Sequence, residues 1–580
     1  MANLKEKGAH TSWRAERFTG IGHGVARSGE VYAKDICNLR VRADESLCRR
    51  DGYAPIAVFD EAVRGAYYHE SNGEGWLYMV AGDRVFSMRY GEGGSLREIG
   101  VCASSQGSVE FCEVGGTVIL MDGTGMMQLA PTAARAIVPY VPLYGDGWTS
   151  LNAGEVHQPR NLLTDRVRIR YVLESNTVQL RLHMVADSLD LVRIDGKIAE
   201  GWRHDTVNTA LEFGRTVYAG SVIDVVMTLP TANEAQRAAF AGCRMAIRLQ
   251  DVAESDMLFG GGADGGALYR TKAVSSADWA RCCELVPEAV PLYLLDEGCL
   301  HVGDGIHGIT AMARQYDRVL LFTEAHTLMT DSERMERENL GLLTINATLG
   351  CTAPNGAVAV GNRPISICGR SLLRWTANTD EADECNAQVI SAPIAELLTQ
   401  RHARGGRLLY DRGRGEVWLY LPGEAARVWL WNEQQDCFFS YEGIDPDGML
   451  LCGEDVVFRR GKAVYAFSSE ARGDTDAEGL LHPIAFCWES HVLPTEHPGR
   501  LLRVGQVMLC AEGERGQAVE ISAKTERGRD TAVCISLTGE TPCEAVRRMD
   551  AGRLRHLRLY VRGECCGAFR LLALGLTLRR

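Results

Sequence analysis

Short apolar segments separated by tight turns recur along this chain, and that pattern limits its possible folds more than any other feature. The clearest example lies between Arg407 and Tyr441, where four such segments alternate with polar or glycine-containing turns. One of them, Glu416 to Leu421, ends at Pro422-Gly423, a pair that reverses the chain direction. The spacing predicts a four-stranded antiparallel meander. A small sheet with two apolar faces must pack against similar sheets to be stable.

Similar units occur throughout the sequence. They lie at Gly75 to Met88, Val109 to Leu129, Ile309 to Met329, Gly356 to Trp375 and Met449 to Phe467. In the second half they recur about every 45 residues, a spacing typical of propeller blades. The sequence therefore predicts an all-β fold with a β-propeller of about six to seven blades, since closing the blades in a ring removes most exposed sheet edges. The alternative is an array of β-sandwiches with coincidental spacing.

Two segments depart from this period. Residues 151–250 contain four candidate strands and the turn Asp195-Gly196, which indicates an inserted β-sandwich, followed by a short helix from Asn233 to Ala241 with Asn233 as its N-cap. After residue 478, Leu557 to Val561 and Leu572 to Leu578 alternate as half-buried strands do, which predicts a C-terminal β-sandwich.

The predicted organisation has five parts. They are an N-terminal arm (1–30), a first part of the propeller (31–150), the inserted β-sandwich (151–250), a second part of the propeller (251–478) and the C-terminal β-sandwich (479–580).

Composition and charge exclude several classes of protein. The net charge of -13 and the pI near 5.6 argue against a protein that grips nucleic-acid phosphates over its whole surface. No apolar run approaches the roughly 18 residues that a membrane-spanning helix needs, and the N-terminus is polar, so neither membrane insertion nor secretion is expected. The 19 cysteines include the adjacent pairs Cys282-Cys283 and Cys565-Cys566 but no C-x-x-C spacing.

Several cysteines sit among apolar strand residues, where free cysteine acts as a small hydrophobic side chain. Examples are Cys112, Cys368 and Cys437. In a cytosolic assembly environment they are expected to stay reduced. Metal and disulfide roles are therefore not expected.

Motifs that carry catalysis or cofactor binding are missing from the sequence. Neither H-E-x-x-H, G-x-x-x-x-G-K-[ST] nor G-x-S-x-G occurs. Gly20 to Gly24 is glycine-rich, but no strand precedes it and no helix follows it, so dinucleotide binding is not expected. Gly260 to Gly266 is interpreted as a turn at a blade edge rather than a phosphate loop. The sequence predicts a non-enzymatic protein with no catalytic residue, no metal site and no cofactor.

Carboxylates and tryptophans offer two alternatives to that conclusion. A glycosidase site would need two converging carboxyls, whereas surface turns explain the acidic and histidine residues of this region more simply. Those residues are Asp296, Glu297, Asp304 and Glu324, with His301, His307 and His326 nearby. Trp418, Trp429 and Trp431 could form a sugar platform, but within one blade they are expected to pack between blades.

Two segments resemble structural proteins of tailed bacteriophages. Ala33 to Tyr53 (AKDICNLRVRADESLCRRDGY) resembles the opening strands of that family, with Asn38, Arg49-Arg50 and Gly52-Tyr53 at the positions of its asparagine, basic pair and Gly-Tyr. Ile306 to Met329 (IHGITAMARQYDRVLLFTEAHTLM) resembles one of its blades.

The resemblance continues through neighbouring segments. Gly350 to Pro354 (GCTAP) resembles the step to the next blade, Ala357 to Trp375, and Asn161 to Thr164 resembles the segment before an inserted β-domain. These segments are spread between residues 33 and 375, and the resemblance extends to the C-terminal β-sandwich by its type. Their order identifies the resemblance, because each motif encodes turns and strands rather than chemistry.

The resemblance implies a virion protein of the tail or head–tail region, assembled in the bacterial host cytoplasm. It implies a ring of copies that contacts other tail, neck or portal proteins, with double-stranded DNA passing through without sequence-specific binding. The acidic balance is expected to keep that DNA sliding. Two alternatives remain open: a stopper or connector that retains packaged DNA below the portal, and a carbohydrate-binding or hydrolysing propeller at the tail tip.

Overall fold

The structure is a computed structural model, and it is built almost wholly of β-strands. It describes residues 5–7, 10–22, 30–91, 93–137, 143–144, 166–182, 185–229, 234–250, 256–261, 266–271, 294–302, 308–331, 342–376, 386–494, 501–525 and 530–579. Two short α-helices, Glu234–Ala241 and Gln400–Gly405, and one 3-10 turn, Ala392–Ile394, occur in this part of the chain. None of the helices among these residues is long and apolar enough to cross a membrane.

Within the described residues, seven four-stranded antiparallel sheets form the propeller. Blade 1 comprises Val63–Ser71, Glu74–Ala81, Arg84–Arg89 and Arg97–Val101; blade 2, Glu110–Val114, Thr117–Met121, Met126–Ala130 and Ala133–Ala136; blade 3, Met245–Gln250, Asp256–Gly261, Ala267–Thr271 and Leu294–His301; blade 4, Ala311–Gln315, Arg318–Phe322, Thr327–Asp331 and Leu343–Asn346. Blade 5 comprises Ala357–Val358, Ile365–Cys368, Ser371–Trp375 and Ala387–Val389; blade 6, Arg407–Asp411, Glu416–Tyr420, Val428–Asn432 and Cys437–Tyr441; blade 7, Gly448–Cys452, Asp455–Arg460, Ala463–Ser468 and the distant Gly52–Val58. The predicted all-β propeller is confirmed.

Blade 6 shows why these sequences form blades. All five residues of its second strand, Glu416–Tyr420, are buried, because neighbouring sheets cover both faces of the strand. The turn predicted at Pro422-Gly423 is present, with Gly423 at a φ of 69°, a conformation that favours glycine. The meander predicted between Arg407 and Tyr441 is therefore confirmed.

The ring closes through a strand from the other end of the chain. Gly52–Val58 pairs antiparallel with Ala463–Ser468 and supplies the fourth strand of blade 7. The first strands of successive blades contact one another from blade 2 to blade 7 and back to blade 1. Blades 1 and 2 meet through the stacked rings of Tyr67 and Phe111, whose centroids lie 5.6 Å apart. A ring of this kind leaves no open end to its series of sheets.

The inserted β-sandwich lies in the connection between blades 2 and 3. One sheet contains Leu143–Tyr144, Arg166–Val172, Val222–Thr228, Ser188–Ile194 and Lys197–Ile198, and the other contains Thr177–Arg181, Ala210–Val217 and Trp202–Asp205. The predicted turn Asp195-Gly196 joins two of these strands with φ values of 50° and 78°, as a two-residue hairpin requires. The predicted helix is observed from Glu234, whereas its proposed cap Asn233 lies outside the described residues. The strand Met245–Gln250 belongs to blade 3, so the insertion ends before residue 250.

A second β-sandwich combines both ends of the chain, and we call it the terminal sandwich. Its first sheet contains Lys5–Lys7, His10–Ala15, Phe569–Arg579, Leu502–Gly513 and Cys543–Arg548, with Leu39–Val41, Leu47–Arg49 and Arg553–Leu554 at its borders. Its second sheet contains Arg17–Thr19, Glu30–Cys37, Ile484–Ser490, His556–Cys565, Ala518–Thr525 and Asp530–Ser536, with Leu493–Pro494 beside it. A small hairpin, Asp474–Thr475 and Leu481–His482, lies between blade 7 and this sandwich in the chain.

The terminal sandwich corrects two of the predicted boundaries. Residues 1–30 were predicted to form an arm and residue 31 to begin the propeller, yet the described strands up to Arg49 belong to the sandwich. Their alternating apolar side chains fill its core: Trp13 is 5% exposed, and Phe18 and Ile36 are fully buried. A register shift opposite Cys510 also places Leu571 in the core, and it leaves Leu572 half-buried.

Candidate functional site

An open cleft of about 880 Å³ lies at one end of the propeller axis. It is formed where the loops that precede the first strands of blades 2 to 5 meet the first residue of blade 6. The turns between the second and third strands of blades 2 and 4 contribute as well, because they lie at the same end of the sheets. The cleft therefore collects loop residues from five blades around one axis.

Glu110 and Arg407 give this cleft its charge pattern. Each is the first residue of the first strand of its blade, and each is half-buried. Burial raises the pKa of the Glu110 carboxyl to about 8, and the backbone N–H of Ala246 and the Arg407 guanidinium offset part of that effect. A carboxyl of this kind changes its protonation near neutral pH and could donate a proton.

The other acidic groups of the cleft do not complete a catalytic pair with Glu110. Asp122 accepts hydrogen bonds from the backbone N–H groups of Ser104, Thr124 and Gly125, so it holds two loops in place. Glu324 is exposed in a turn of blade 4. Among the described residues, no cluster of three or more His, Cys, Asp or Glu side chains could hold a metal ion.

A basic pocket of about 480 Å³ adjoins the cleft beside helix Gln400–Gly405. Arg401, Arg404 and Arg407 line it, and the one carboxylate among its lining residues, Glu424, bonds Arg401 at 2.8 Å. The surplus of guanidinium groups suits a carboxylate or phosphate group. The pocket is open to solvent, and its chemistry selects for negative charge rather than for one particular ligand.

A buried polar network joins the propeller to the terminal sandwich. We call it the Arg50 hub, and it comprises Asn38, Arg50, Tyr53, Glu442 and Asp474. Arg50 is 1% exposed and bonds both carboxylate oxygens of Asp474, at 2.8 and 2.6 Å. Its remaining donors reach the Asn38 side chain and the carbonyls of Asp51 and Glu442. All five N–H donors of the guanidinium are thereby satisfied, as a buried arginine requires.

The other members of the hub extend it in both directions. The Asn38 side chain accepts the Glu442 backbone N–H at 2.9 Å and donates to the Ala485 carbonyl at 2.7 Å, which lies in the terminal sandwich. Tyr53 donates its hydroxyl to the Gly443 carbonyl at 2.9 Å. The hub therefore connects blade 6, blade 7 and the sandwich through side chains that leave few polar groups unpaired.

The segments that carried the resemblance form framework contacts in the structure. Asn38, Arg50 and Tyr53 belong to the hub. In blade 4, the Thr310 hydroxyl lies 3.1 Å from the Phe322 carbonyl and 2.6 Å from the Cys351 carbonyl, so it joins that blade to the step before blade 5. The segment Asn161 to Thr164 lies outside the described residues.

Those of the predicted carboxylate and histidine candidates that the structure describes lie in two different blades. Asp296, Glu297 and His301 lie on the outermost strand of blade 3, whereas Glu324 and His326 belong to a turn of blade 4. Asp304 and His307 lie outside the described residues.

The tryptophans lie in the packed core, and the glycine-rich segments lie at turns and close contacts. Trp418, Trp429 and Trp431 are each at most 3% exposed, so they cannot offer a sugar platform. Trp418 packs against Phe467 of blade 7, as predicted for a contact between blades. Gly260 and Gly266 flank the connection between the second and third strands of blade 3. A Cβ at Gly20 would clash with the Phe438 carbonyl, so this glycine permits a close approach of the sandwich to blade 6.

Known proteins resemble the chain in fold. No family model matches its sequence, and no curated protein matches it significantly. Among solved structures, virginiamycin B lyase from Staphylococcus aureus is 8% identical with a TM-score of 0.36 and covers 72% of this chain and 98% of its own. The WD40 propeller domain of Doa1 is 9% identical with a TM-score of 0.34 and covers 72% and 98%. PorZ of the type-IX secretion system of Porphyromonas gingivalis is 10% identical with a TM-score of 0.34. It covers 83% of this chain, and the chain spans about half of its length, 46%.

Sequence reasoning missed the residues that define the cleft and the hub. Glu110, Arg407 and Asp474 carry no motif, and each gains its role from partners far away in the sequence. One signal was available: the basic pair Arg49-Arg50 stands in a segment that was expected to form strands, and an arginine that becomes buried there needs a carboxylate partner.

Proposed function

We propose that the protein is a structural component of a bacteriophage tail, in which copies form a ring around the DNA channel. One observation carries the proposal: three of the residues on which the phage resemblance rests, Asn38, Arg50 and Tyr53, lock both ends of the chain to the propeller through the Arg50 hub. The side chains of these residues make contacts within the framework of the fold rather than with a ligand, which suits a protein that forms the wall of a channel.

The proposed partners are further copies of the chain and neighbouring tail, neck or portal proteins. Double-stranded DNA passes through the ring without sequence-specific contacts. The inserted sandwich suits a contact role, because it lies in one loop of the propeller and exposes large apolar side chains. They include Ile198 and Tyr218, each 67% exposed, and Val207, 88% exposed. Exposed apolar groups of this kind favour protein contacts where they gather in one patch.

Light scattering and negative-stain microscopy of the purified protein test the proposal. We expect a closed oligomer with an open bore. Mass spectrometry of purified particles of the phage that encodes the chain gives a second readout, because some rings close only on the virion. A protein that stays monomeric and is absent from the particles would contradict the proposal. A ring whose bore is blocked would instead favour the stopper.

A pair of matched variants identifies the surface that closes the ring. Ile198→Asp places a charge on the inserted sandwich, and Val389→Asp places one on the edge strand of blade 5, where Val389 is 50% exposed. We expect the first variant to shift the oligomer towards monomer and the second to leave it unchanged. Equal behaviour of the two variants would remove the inserted sandwich from the proposed interface.

A further inference from the structure

Two cysteines from opposite ends of the chain face each other in the terminal sandwich. Cys37 ends the strand Glu30–Cys37, and its direct partner in the antiparallel pair with Ile484–Ser490 is Cys487. Opposed residues of antiparallel strands have Cα atoms roughly 4.5–5.5 Å apart. That separation lies within the roughly 4.4–6.8 Å that disulfides span, so the strand pairing alone brings the two residues within bonding range.

The two thiols already interact with each other. A hydrogen bond from the Cys37 thiol to the Cys487 sulfur raises the pKa of Cys37 and lowers that of Cys487. Burial disfavours both thiolates, as do Glu442 at Cys37 and Asp35 at Cys487, whereas the nearby Arg427 guanidinium favours both. Asp35 and Glu442 hold Arg427 in place, at 2.7 and 2.5 Å. Cys37 is 3% exposed, whereas Cys487 is half-buried. The pair thus combines a half-buried cysteine with a lowered pKa and a buried thiol directly opposite it.

We propose that Cys37 and Cys487 are a disulfide-forming pair, a modification site that closes the terminal sandwich covalently when the protein meets a small disulfide such as oxidised glutathione. The Cys487 thiolate attacks one sulfur of the small disulfide, forms a mixed disulfide and releases one thiolate. The Cys37 thiol then loses its proton to solvent, and its sulfur attacks the Cys487 sulfur. The second small thiolate leaves, so two protein thiols are oxidised and one small disulfide is reduced to two thiols.

The bond would enclose the whole propeller in one covalent loop. It would tie Glu30–Cys37, which lies before the ring-closing strand Gly52–Val58 in the chain, to Ile484–Ser490, which lies after blade 7. Cross-links that close long loops restrict the unfolded chain most in the entropy model. The oxidised protein is therefore expected to resist unfolding more than the reduced one. The site is formed within a single copy of the chain and stands whether or not copies form a ring.

Peptide mapping of the full-length protein tests the site. The native protein is incubated with oxidised glutathione, its remaining thiols are blocked with N-ethylmaleimide, and its peptides are analysed without reduction. We expect a cross-linked peptide pair that contains Cys37 and Cys487, and a thermal midpoint that rises on oxidation and returns with dithiothreitol. Recovery of both cysteines as maleimide or glutathione adducts, with no cross-linked pair, would overturn the proposal.

Serine variants separate this pair from the other thiols of the sandwich. C37S and C487S should each abolish both the cross-link and the rise in the thermal midpoint. C510S is the matched control: Cys510 faces Glu544 and nearby Cys543 faces Ala511, so no direct cross-strand pair exists there and both effects should persist. The mapping on the wild-type chain needs no variant, so the proposal can fail even if a serine variant does not fold.

Discussion

The two sandwiches of this protein share an architecture but differ in how the chain builds them. The inserted sandwich comes from one continuous segment, and its core residues, such as Ile169, Phe213 and Val225, pack among themselves. The terminal sandwich combines strands from both ends, and its core is continuous with that of blades 5 to 7. The first can therefore lose its structure alone, whereas the second is expected to unfold together with the propeller.

Each of the two regions holds a buried arginine, and the comparison extends to these charges. In the inserted sandwich, Asp224 accepts bonds from Arg168 at 2.8 Å and Arg170 at 2.9 Å, all within neighbouring strands. In the Arg50 hub, Arg50 reaches an aspartate 424 positions away. The same type of ion pair thus stabilises a local unit in one case and joins distant parts of the chain in the other.

The largest expected effect comes from Arg50→Ala. It leaves the Asp474 carboxylate buried without its partner, which costs about 4 kcal/mol in the free energy of unfolding. Because the hub joins the propeller to the terminal sandwich, denaturant unfolding should show these two parts destabilised together. Hydrogen exchange in residues 166–229, the inserted sandwich, should stay unchanged. Arg14→Ala is the control, since its ion pair with Glu16 is solvent-exposed and worth at most about 1 kcal/mol. Loss of the sandwich alone would show that the two regions are not coupled.

Asp224→Ala is the counterpart in the inserted sandwich. It removes the carboxylate that faces Arg168, which is 1% exposed, and we expect a cost of about 3 kcal/mol. Faster hydrogen exchange should be confined to residues 166–229, and the main unfolding transition should keep its midpoint. Glu212→Ala breaks an exposed pair with Arg203 in the same domain and should change exchange little. A shift of the main transition would contradict the independence of this domain.

Gly20→Ala tests the contact between the terminal sandwich and blade 6. The new Cβ would meet the Phe438 carbonyl, and backbone cannot move aside as a flexible side chain can, so we expect a cost of about 2 kcal/mol in unfolding experiments. Gly405→Ala is the matched control, because its Cβ meets nothing within 4 Å and it lies at the end of a helix. Equal stability of the two variants would show that the sandwich does not rest closely on blade 6.

Local features of the sequence predicted local structure well. Asp195-Gly196 and Pro422-Gly423 encode their turns in two residues, and the apolar run from Glu416 is long enough to define a strand. Pairing across the chain was not predictable in this way. Nothing in Gly52–Val58 identifies Ala463–Ser468 as its partner, because strand register depends on which edges the folded ring leaves open.

The candidate sites depended even more on distant contacts. The pKa of Glu110 follows from its burial near Ala246 and Arg407, which lie in other blades. Likewise, disulfides were not expected because a cytosolic environment keeps cysteines reduced, and the sequence gives no sign that Cys37 faces Cys487; only the strand pairing shows it. In both cases the topology places distant residues side by side, and neither the raised pKa of Glu110 nor the facing cysteines can be read from the composition.

The smallest expected effect is a pH dependence of stability, which should differ between the two sandwiches. A carboxyl whose pKa is higher in the folded chain binds its proton more tightly there, so Glu110 stabilises the fold as the pH falls from about 8 towards its ordinary value of 4.5. We expect Glu110→Gln to be about 1–2 kcal/mol more stable than the wild type at high pH and equal to it below the ordinary pKa of glutamate.

Trp488 should report this difference from the terminal sandwich, whereas hydrogen exchange in residues 166–229 should not change. Glu324→Gln, at an exposed position of the same cleft, is the control and should follow the wild type at every pH. If the inserted sandwich followed the same pH dependence, all three regions would unfold as one unit, and the distinction between the two sandwiches would be lost.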